Sequence, residues 1–317
     1  MYATDTLSRF EPISMTLQAS DPRAFAKQLG RSFREYGFAA ISDHGLDQDL
    51  IDRTSALSAQ FFALPTQTKQ AYFKSELNSA RGYTPFGREI AKGAAHVDLK
   101  EFWHVGRDLP AGHPYESVMA RNLVPAEIEG WQETVHGMYA AFDALGAKVL
   151  QAIAVDLNLD TDFFVDTVKD GDSVMRLLHY PPVDADTGGS IRAEAHEDIN
   201  TITLLLGAEE AGLQVKRRDG TWVDMNPPAG CLAVNMGDML QRSSNHVLPS
   251  TTHRVINPKG TRVTKSRYSM PFFLHYRPDY LIETLPGCSG PDNPDRYPTP
   301  MLSHDYLMER LREIGLV

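Results

Sequence analysis

The chain has 317 residues, 42% hydrophobic and 23% charged, with a formal net charge of -10 and a pI near 5.5. That length and balance support a sizeable buried core. The acidic surplus argues against a nucleic-acid binder, whose footprint is a basic stripe, and against docking on an anionic membrane.

At the N-terminus, Met1-Tyr2-Ala3-Thr4-Asp5 lacks a basic region leading into an apolar run. No stretch approaches the ~20 apolar residues of a membrane span, so the expectation is a cytoplasmic protein. Phe25, Leu29 and Phe33 recur at a helical step that stops at Gly37. The strand-like run 38–41 then leads into a turn at Asp43-His44-Gly45. A second helix is expected from about Gln48 to Phe61-Phe62-Ala63-Leu64-Pro65, where the proline ends it. Residues 75–127 are rich in Gly, Pro and His and poor in periodicity, which predicts mostly loop with some extended pieces.

The longest helix is predicted over about 130–156. Its apolar stripe of Trp131, Val135, Met138, Phe142, Leu145, Val149 and Ile153 must lie on something large, such as a sheet. From Ser173 the pattern changes to short β-rich blocks at 174–180, 198–206, 213–216, 231–235, 251–256 and 267–275. Turn chemistry separates them, at Arg218-Asp219-Gly220, at 226–230, at Met236-Gly237-Asp238 and at Pro258-Lys259-Gly260. An antiparallel sandwich or barrel follows. A last helix, capped by Ser303, is expected over about 304–313. No flexible linker is visible, so the chain reads as one domain over 1–317: a mainly helical front (1–172), a β core (173–285) and a C-terminal loop and helix (286–317). The two cysteines, Cys231 and Cys288, are too few for a disulfide framework and read as reduced thiols.

Chemistry concentrates in the β-rich half. With 11 histidines, a His-x-Asp triplet arises by chance about once, so context must choose between His96-Val97-Asp98 and His196-Glu197-Asp198. The first sits in a loop-like region and reads as carrying no metal. The second opens a strand-like block, where residues i and i+2 share a face. His196 and Asp198 then project together and Glu197 points away. His253 lies in another β-like block. Two imidazoles and one carboxylate form the facial triad of non-haem iron(II) oxygenases, with open positions for a co-substrate and dioxygen. Arg267 and Ser269 again stand at i and i+2, a planar fork and a hydroxyl suited to the distal carboxylate of 2-oxoglutarate. His179 and His246 read as core or rim histidines, and Arg254 as a structural ion-pair partner on the far side of its strand. Gly237-Asp238 reads as a turn.

These words resemble a known family, the isopenicillin N synthase-like branch of the 2-oxoglutarate/Fe(II)-dependent dioxygenases. The resemblance is carried by Phe33-Arg34-Glu35-Tyr36-Gly37-Phe38 with Asp43-His44-Gly45, by Phe61-Phe62-Ala63-Leu64-Pro65 with Lys69, and by Arg81-Gly82-Tyr83 and Lys100-Glu101-Phe102. In the second half it is carried by His196-Glu197-Asp198, Asn235-Met236-Gly237-Asp238, His253-Arg254-Val255 and Arg267-Tyr268-Ser269. It covers roughly residues 10–285.

The resemblance implies an α+β, mainly β fold: a distorted double-stranded β-helix (jelly-roll) backed by helices. It implies iron(II) on His196, Asp198 and His253, 2-oxoglutarate on Arg267 and Ser269 with Tyr180 facing it, and O2 as co-substrate. Family position also makes Tyr83, Phe86, Phe102, His104 and Phe273 candidate walls for a small-molecule substrate. Leu178 stands where some relatives carry Asn, and the spacing from His253 to Arg267 is slightly long, with Pro258-Lys259-Gly260 as the inserted turn. Four rivals remain open at this level: an oxidase without 2-oxoglutarate, ethylene formation from 2-oxoglutarate, a zinc hydrolase and a non-enzymatic binding barrel.

Overall fold

In the computed structural model, which describes residues 10–77, 79–89, 97–182, 189–206, 212–257 and 265–313, the chain opens with strand β1 (Ile13–Ser14) and helices α1 (Thr16–Ser20) and α2 (Pro22–Tyr36). Helix α2 carries its own punctuation. The Asp21 carboxylate accepts from the Ala24 N–H, and Pro22 stands in the first turn, where no N–H is needed. Gly37 ends the helix at φ 68°, and a Cβ there would lie 2.1 Å from Thr251 Oγ1. Only glycine serves both needs, and the turn is thereby seated against the segment leading to His253. Phe25, Leu29 and Phe33 are fully buried, each contributing about 1.5–3 kcal/mol of apolar burial.

The remaining elements follow in order. The front contains β2 (Phe38–Ser42), α3 (Gln48–Phe62), α4 (Thr66–Gln70), β3 (Gly82–Thr84) and β4 (Glu101–Gly106). Next come α5 (Trp131–Asp156), α6 (Val165–Val168), β5 (Val174–Tyr180), β6 (Ala193–His196) and β7 (Ile202–Leu206). The chain continues through β8 (Leu213–Lys216), β9 (Trp222–Asp224), β10 (Leu232–Met236), α7 (Asp238–Ser243) and β11 (His253–Val255). It closes with β12 (Arg267–Leu274), the small pair β13 (Leu281–Ile282) and β14 (Met301–Leu302), and α8 (Ser303–Glu313).

Eight strands form one sheet in the order β1-β2-β10-β7-β12-β5-β4-β3, and four form a second in the order β6-β11-β8-β9. Residue alternation sorts their faces. Ala39, Ile41, Leu204, Val234 and Phe272 of the large sheet join the core built with α2, α3 and α5. Phe38, Ala40 and Ala233 point the other way and pack with Ala193, Leu213, Val215 and Val255 of the small sheet. The large sheet is therefore covered on both sides, by helices and by the small sheet, as in a jelly-roll. By length and composition α5 could cross a membrane, contrary to the expectation that no stretch comes near that; it lies instead in the core, against α2, α3 and the large sheet.

The extended pieces expected within 75–127 include a fully buried strand, β4, between β3 and β5. Covered on both faces, it shows no polar–apolar alternation. The block expected over 198–206 becomes strand only at Ile202, with Asp198 in the preceding loop. The turn at Met236-Gly237-Asp238 opens the short helix α7. His96 and Pro258-Lys259-Gly260 lie outside the described residues.

Candidate metal and co-substrate site

Strands β6 and β11 pair antiparallel with His196 directly opposite His253, and the two ring centroids are 4.4 Å apart. Phe38 packs edge-on against the His253 ring. Asp198 arrives from the loop beyond β6. That loop is pinned by the Asp238 N–H donating to Asp198 O (2.7 Å), and by Gly237 N and Thr201 N donating to Thr201 O and Leu274 O (2.9 Å each). The face-sharing predicted from a strand is thus reached another way: cross-strand register supplies two groups and an anchored loop the third.

The ligand atoms of the three residues all lie within 4.8 Å of one another, and Asp198 Oδ1 is 3.8 Å from each Nε2. Their remaining atoms are occupied. His196 Nδ1 is 2.6 Å from Glu194 O and His253 Nδ1 is 3.1 Å from Thr251 O, so each Nδ1–H donates to a carbonyl and Nε2 is left with its lone pair. Asp198 Oδ2 accepts from Thr203 Oγ1 (2.6 Å) and Asn235 Nδ2 (2.8 Å), which turns Oδ1 toward the imidazoles. Burial and the neighbouring His253 hold His196 below its ordinary pKa. Burial would raise Asp198, but His253, His196 and the two hydrogen bonds keep it ionised below the usual value. Two neutral nitrogens and one anionic oxygen facing a common point fit a divalent transition metal.

Arg267 and Ser269 share a face of β12, with Arg267 Nη1 3.3 Å from Ser269 Oγ. Arg267 is buried, and its guanidinium lies 4.9 Å from the Tyr180 ring centroid, the residue opposite it on β5. Tyr180 is itself buried with Phe102 and Leu178. A buried cationic fork with a hydroxyl and an aromatic face beside it can hold a carboxylate.

A cavity of about 330 Å³ opens on His196 and Asp198. Of the five expected wall residues, Phe102, His104 and Phe273 border it. Tyr83 does not: it is buried behind the sheet, donating to Glu101, which also binds Lys69 and His179. Phe86 is 48% exposed and does not border it either. Alternation along β4 explains the difference, since Lys100, Phe102 and His104 face the cavity while Glu101 and Trp103 face the helices.

Asp98 is an ion-pair partner of Lys100 (2.8 Å) and accepts from Glu194 N (3.0 Å), so it braces β6 and is no part of the His–Asp–His cluster. His179 belongs to the buried Glu101 network, and His246 pairs with Tyr297 at the surface. Glu197 accepts from Thr252 Oγ1 and is no part of the His–Asp–His cluster. Arg254 is structural, but its partners are the Gln214 amide oxygen and the Trp222 ring at 4.1 Å, with no ion pair among the described residues.

Sequence reasoning missed the charged wall of the cavity. Lys100 pairs with Glu89 (2.6 Å) as well as Asp98, and Arg176 reaches Glu89 (3.3 Å) and donates to His104 Nε2 (2.5 Å). Its only trace in the sequence is the run Lys100-Glu101-Phe102. The roles of Thr203 and Asn235 were equally hidden, because they depend on β7 and β10 lying side by side.

Comparison with known proteins agrees with this geometry. Residues 8–127 match the family profile described as the N-terminal region of the non-haem dioxygenase in morphine synthesis, and residues 171–276 match the 2OG-Fe(II) oxygenase superfamily. A 2-oxoglutarate-Fe(II) type oxidoreductase of Emericella nidulans is 34% identical over 86% of this chain and 80% of its own. A crystal structure of a 2OG-Fe(II) oxygenase family protein from Caulobacter crescentus superposes with TM-score 0.91 and 55% identity, covering 97% of this chain and all of that one. A full-length Neurospora crassa protein, solved in complex with alpha-KG and thymine, superposes with TM-score 0.85 at 30% identity over 95% of each chain.

Proposed function

Because the chain belongs to the 2OG-Fe(II) oxygenase superfamily and is a 2-oxoglutarate-dependent dioxygenase of a small organic substrate, we propose that it hydroxylates that substrate at the cluster of His196, Asp198 and His253. The observation that carries this reading is the set of three ligand atoms within 4.8 Å, each fixed by a hydrogen bond to the rest of its side chain. Iron(II) held there supplies the chemistry by which O2 and 2-oxoglutarate become succinate, CO2 and one hydroxyl on the substrate.

The chain's own residues do the positioning. Nδ1–H bonds to Glu194 O and Thr251 O fix the tautomer of both imidazoles and leave each Nε2 free to bind the metal. Thr203 and Asn235 hold Asp198 as a one-oxygen ligand. Arg267 and Ser269 grip the distal carboxylate of 2-oxoglutarate, with Tyr180 packed against the guanidinium. The cavity lined by Phe102 and Phe273 receives the substrate and excludes bulk water from it. An oxidase that dispenses with 2-oxoglutarate, or a zinc hydrolase, gives the buried Arg267–Ser269 fork no carboxylate to hold.

The test is anaerobic addition of iron(II) and 2-oxoglutarate to the purified protein. A weak visible charge-transfer band is expected, lost in His253→Ala, and oxygen should then release succinate. Absence of the band, with His253→Ala indistinguishable from the parent protein, overturns the proposal.

A further inference from the structure

Two histidines lining this cavity, His196 and His275, are locked as the ligand His253 is. His275 Nδ1 lies 3.0 Å from Phe273 O, again a carbonyl two residues upstream. A carbonyl can only accept, so Nδ1 carries the proton and Nε2 of the neutral ring carries an unshared pair. His275 is not part of the metal-binding cluster, yet it borders the same cavity. No protein donor reaches its Nε2 among the described residues.

Arg176 is the complementary group. Its Nε donates to His104 and its Nη1 to Glu89, while Phe102 covers the guanidinium at 4.2 Å. Its Nη2 has no protein acceptor among the described residues. Register sets the two polar groups apart. Val174 pairs with Phe273, so Arg176 stands two residues beyond that pair in one direction and His275 two residues beyond it in the other. All four border the cavity, with the Phe273–Val174 pair between the donor and the acceptor.

Charge decides what kind of acceptor suits Arg176. Glu89 already pairs with Arg176 and Lys100, Asp98 with Lys100, and Arg81 with Asp172. An incoming carboxylate would meet Glu89 across the same guanidinium, whereas a neutral carbonyl or ether oxygen meets no such repulsion.

Resting on the function proposed above, we propose that Arg176 and His275 determine specificity. The substrate is a neutral molecule with an apolar or aromatic body lying over Phe273, an acceptor turned toward Arg176 and an O–H or N–H turned toward His275.

The probe is 4-hydroxybenzamide, titrated calorimetrically into the anaerobic iron(II)–2-oxoglutarate protein beside 4-methoxybenzamide and 4-hydroxybenzoate. The amide should bind about tenfold tighter than either analogue, the scale of one lost hydrogen bond or one unfavourable charge. His275→Phe should erase the preference for hydroxyl over methoxy, and His275→Gln, which keeps an acceptor, should retain part of it. Arg176→Met should weaken the amide about tenfold. Equal binding of hydroxyl and methoxy probes, tighter binding of the benzoate, no detectable amide binding, or a preference that survives His275→Phe each overturns the inference. The titration repeated on metal-free protein reads the cavity independently. A missing charge-transfer band therefore counts against the proposed function, and lost discrimination against this inference.

Discussion

The two oxygens of Asp198 have opposite duties: Oδ2 is held by Thr203 and Asn235, and Oδ1 faces the imidazoles. Removing one of those bonds frees the carboxylate to rotate, so Asn235→Leu should lower iron(II) affinity about 10- to 100-fold. Anaerobic iron titration measures this, and unchanged affinity would make the bond incidental. His104 offers a pH test. Burial first, and then the Arg176 guanidinium, hold its imidazole well below its ordinary pKa. In the unfolded chain it protonates below about 6.5. Between the depressed folded value and that point the unfolded state binds the extra proton, so stability falls as pH drops through this window. His104→Gln should flatten that slope in urea unfolding compared at about pH 7.5 and about pH 5, on either side of that point. Parallel pH dependence in the two proteins would rule out His104 as its source.

Among elements, the crossing of α2 and α5 is set by one missing side chain. A Cβ at Gly30 would fall 2.1 Å from Asp156 Cγ, and Asp156 accepts both arms of the Arg34 fork at 2.7 and 3.1 Å. Gly30→Ala should displace that carboxylate and cost about 1–3 kcal/mol. Gly137, on α5, is the control: a Cβ there meets nothing nearer than Leu50 Cδ1 at 3.9 Å. Gly137→Ala should stabilise the fold by about 0.5–1 kcal/mol through helix propensity alone. Urea denaturation of the pair gives opposite signs if the crossing is as tight as described. The helices themselves were legible in the sequence because caps and apolar stripes are local. β4 was legible only as an extended piece without a position, because a strand covered on both faces carries no period to read.

For the whole molecule, the candidate metal site joins parts that the backbone keeps separate. His196 and His253 belong to the small sheet, and Asp198 precedes β7 in the large one. A metal bound there cross-links the two layers and binds only the folded chain. At a hundredfold excess over its dissociation constant, iron(II) should add about 2.7 kcal/mol of stability. The melting temperature should rise on anaerobic iron addition, return with chelator, and stay unmoved in His253→Ala. A rise that persists in that variant would locate the metal elsewhere.

Sequence alone determined the elements whose signals are local: the helices that stop at Gly37 and before Pro65, the long apolar stripe over Trp131–Asp156, most β blocks, and the residue types of the His–Asp–His set and the Arg267–Ser269 fork. Those signals survive because periodicity and residue chemistry need no neighbour to be read. Tertiary structure alone decided which face of β4 meets the cavity, that Asp198 converges from a loop, and that Thr203, Asn235, Arg176 and His275 stand around it. These are contacts between segments far apart in the chain, and cross-strand register, not local spacing, brings them together.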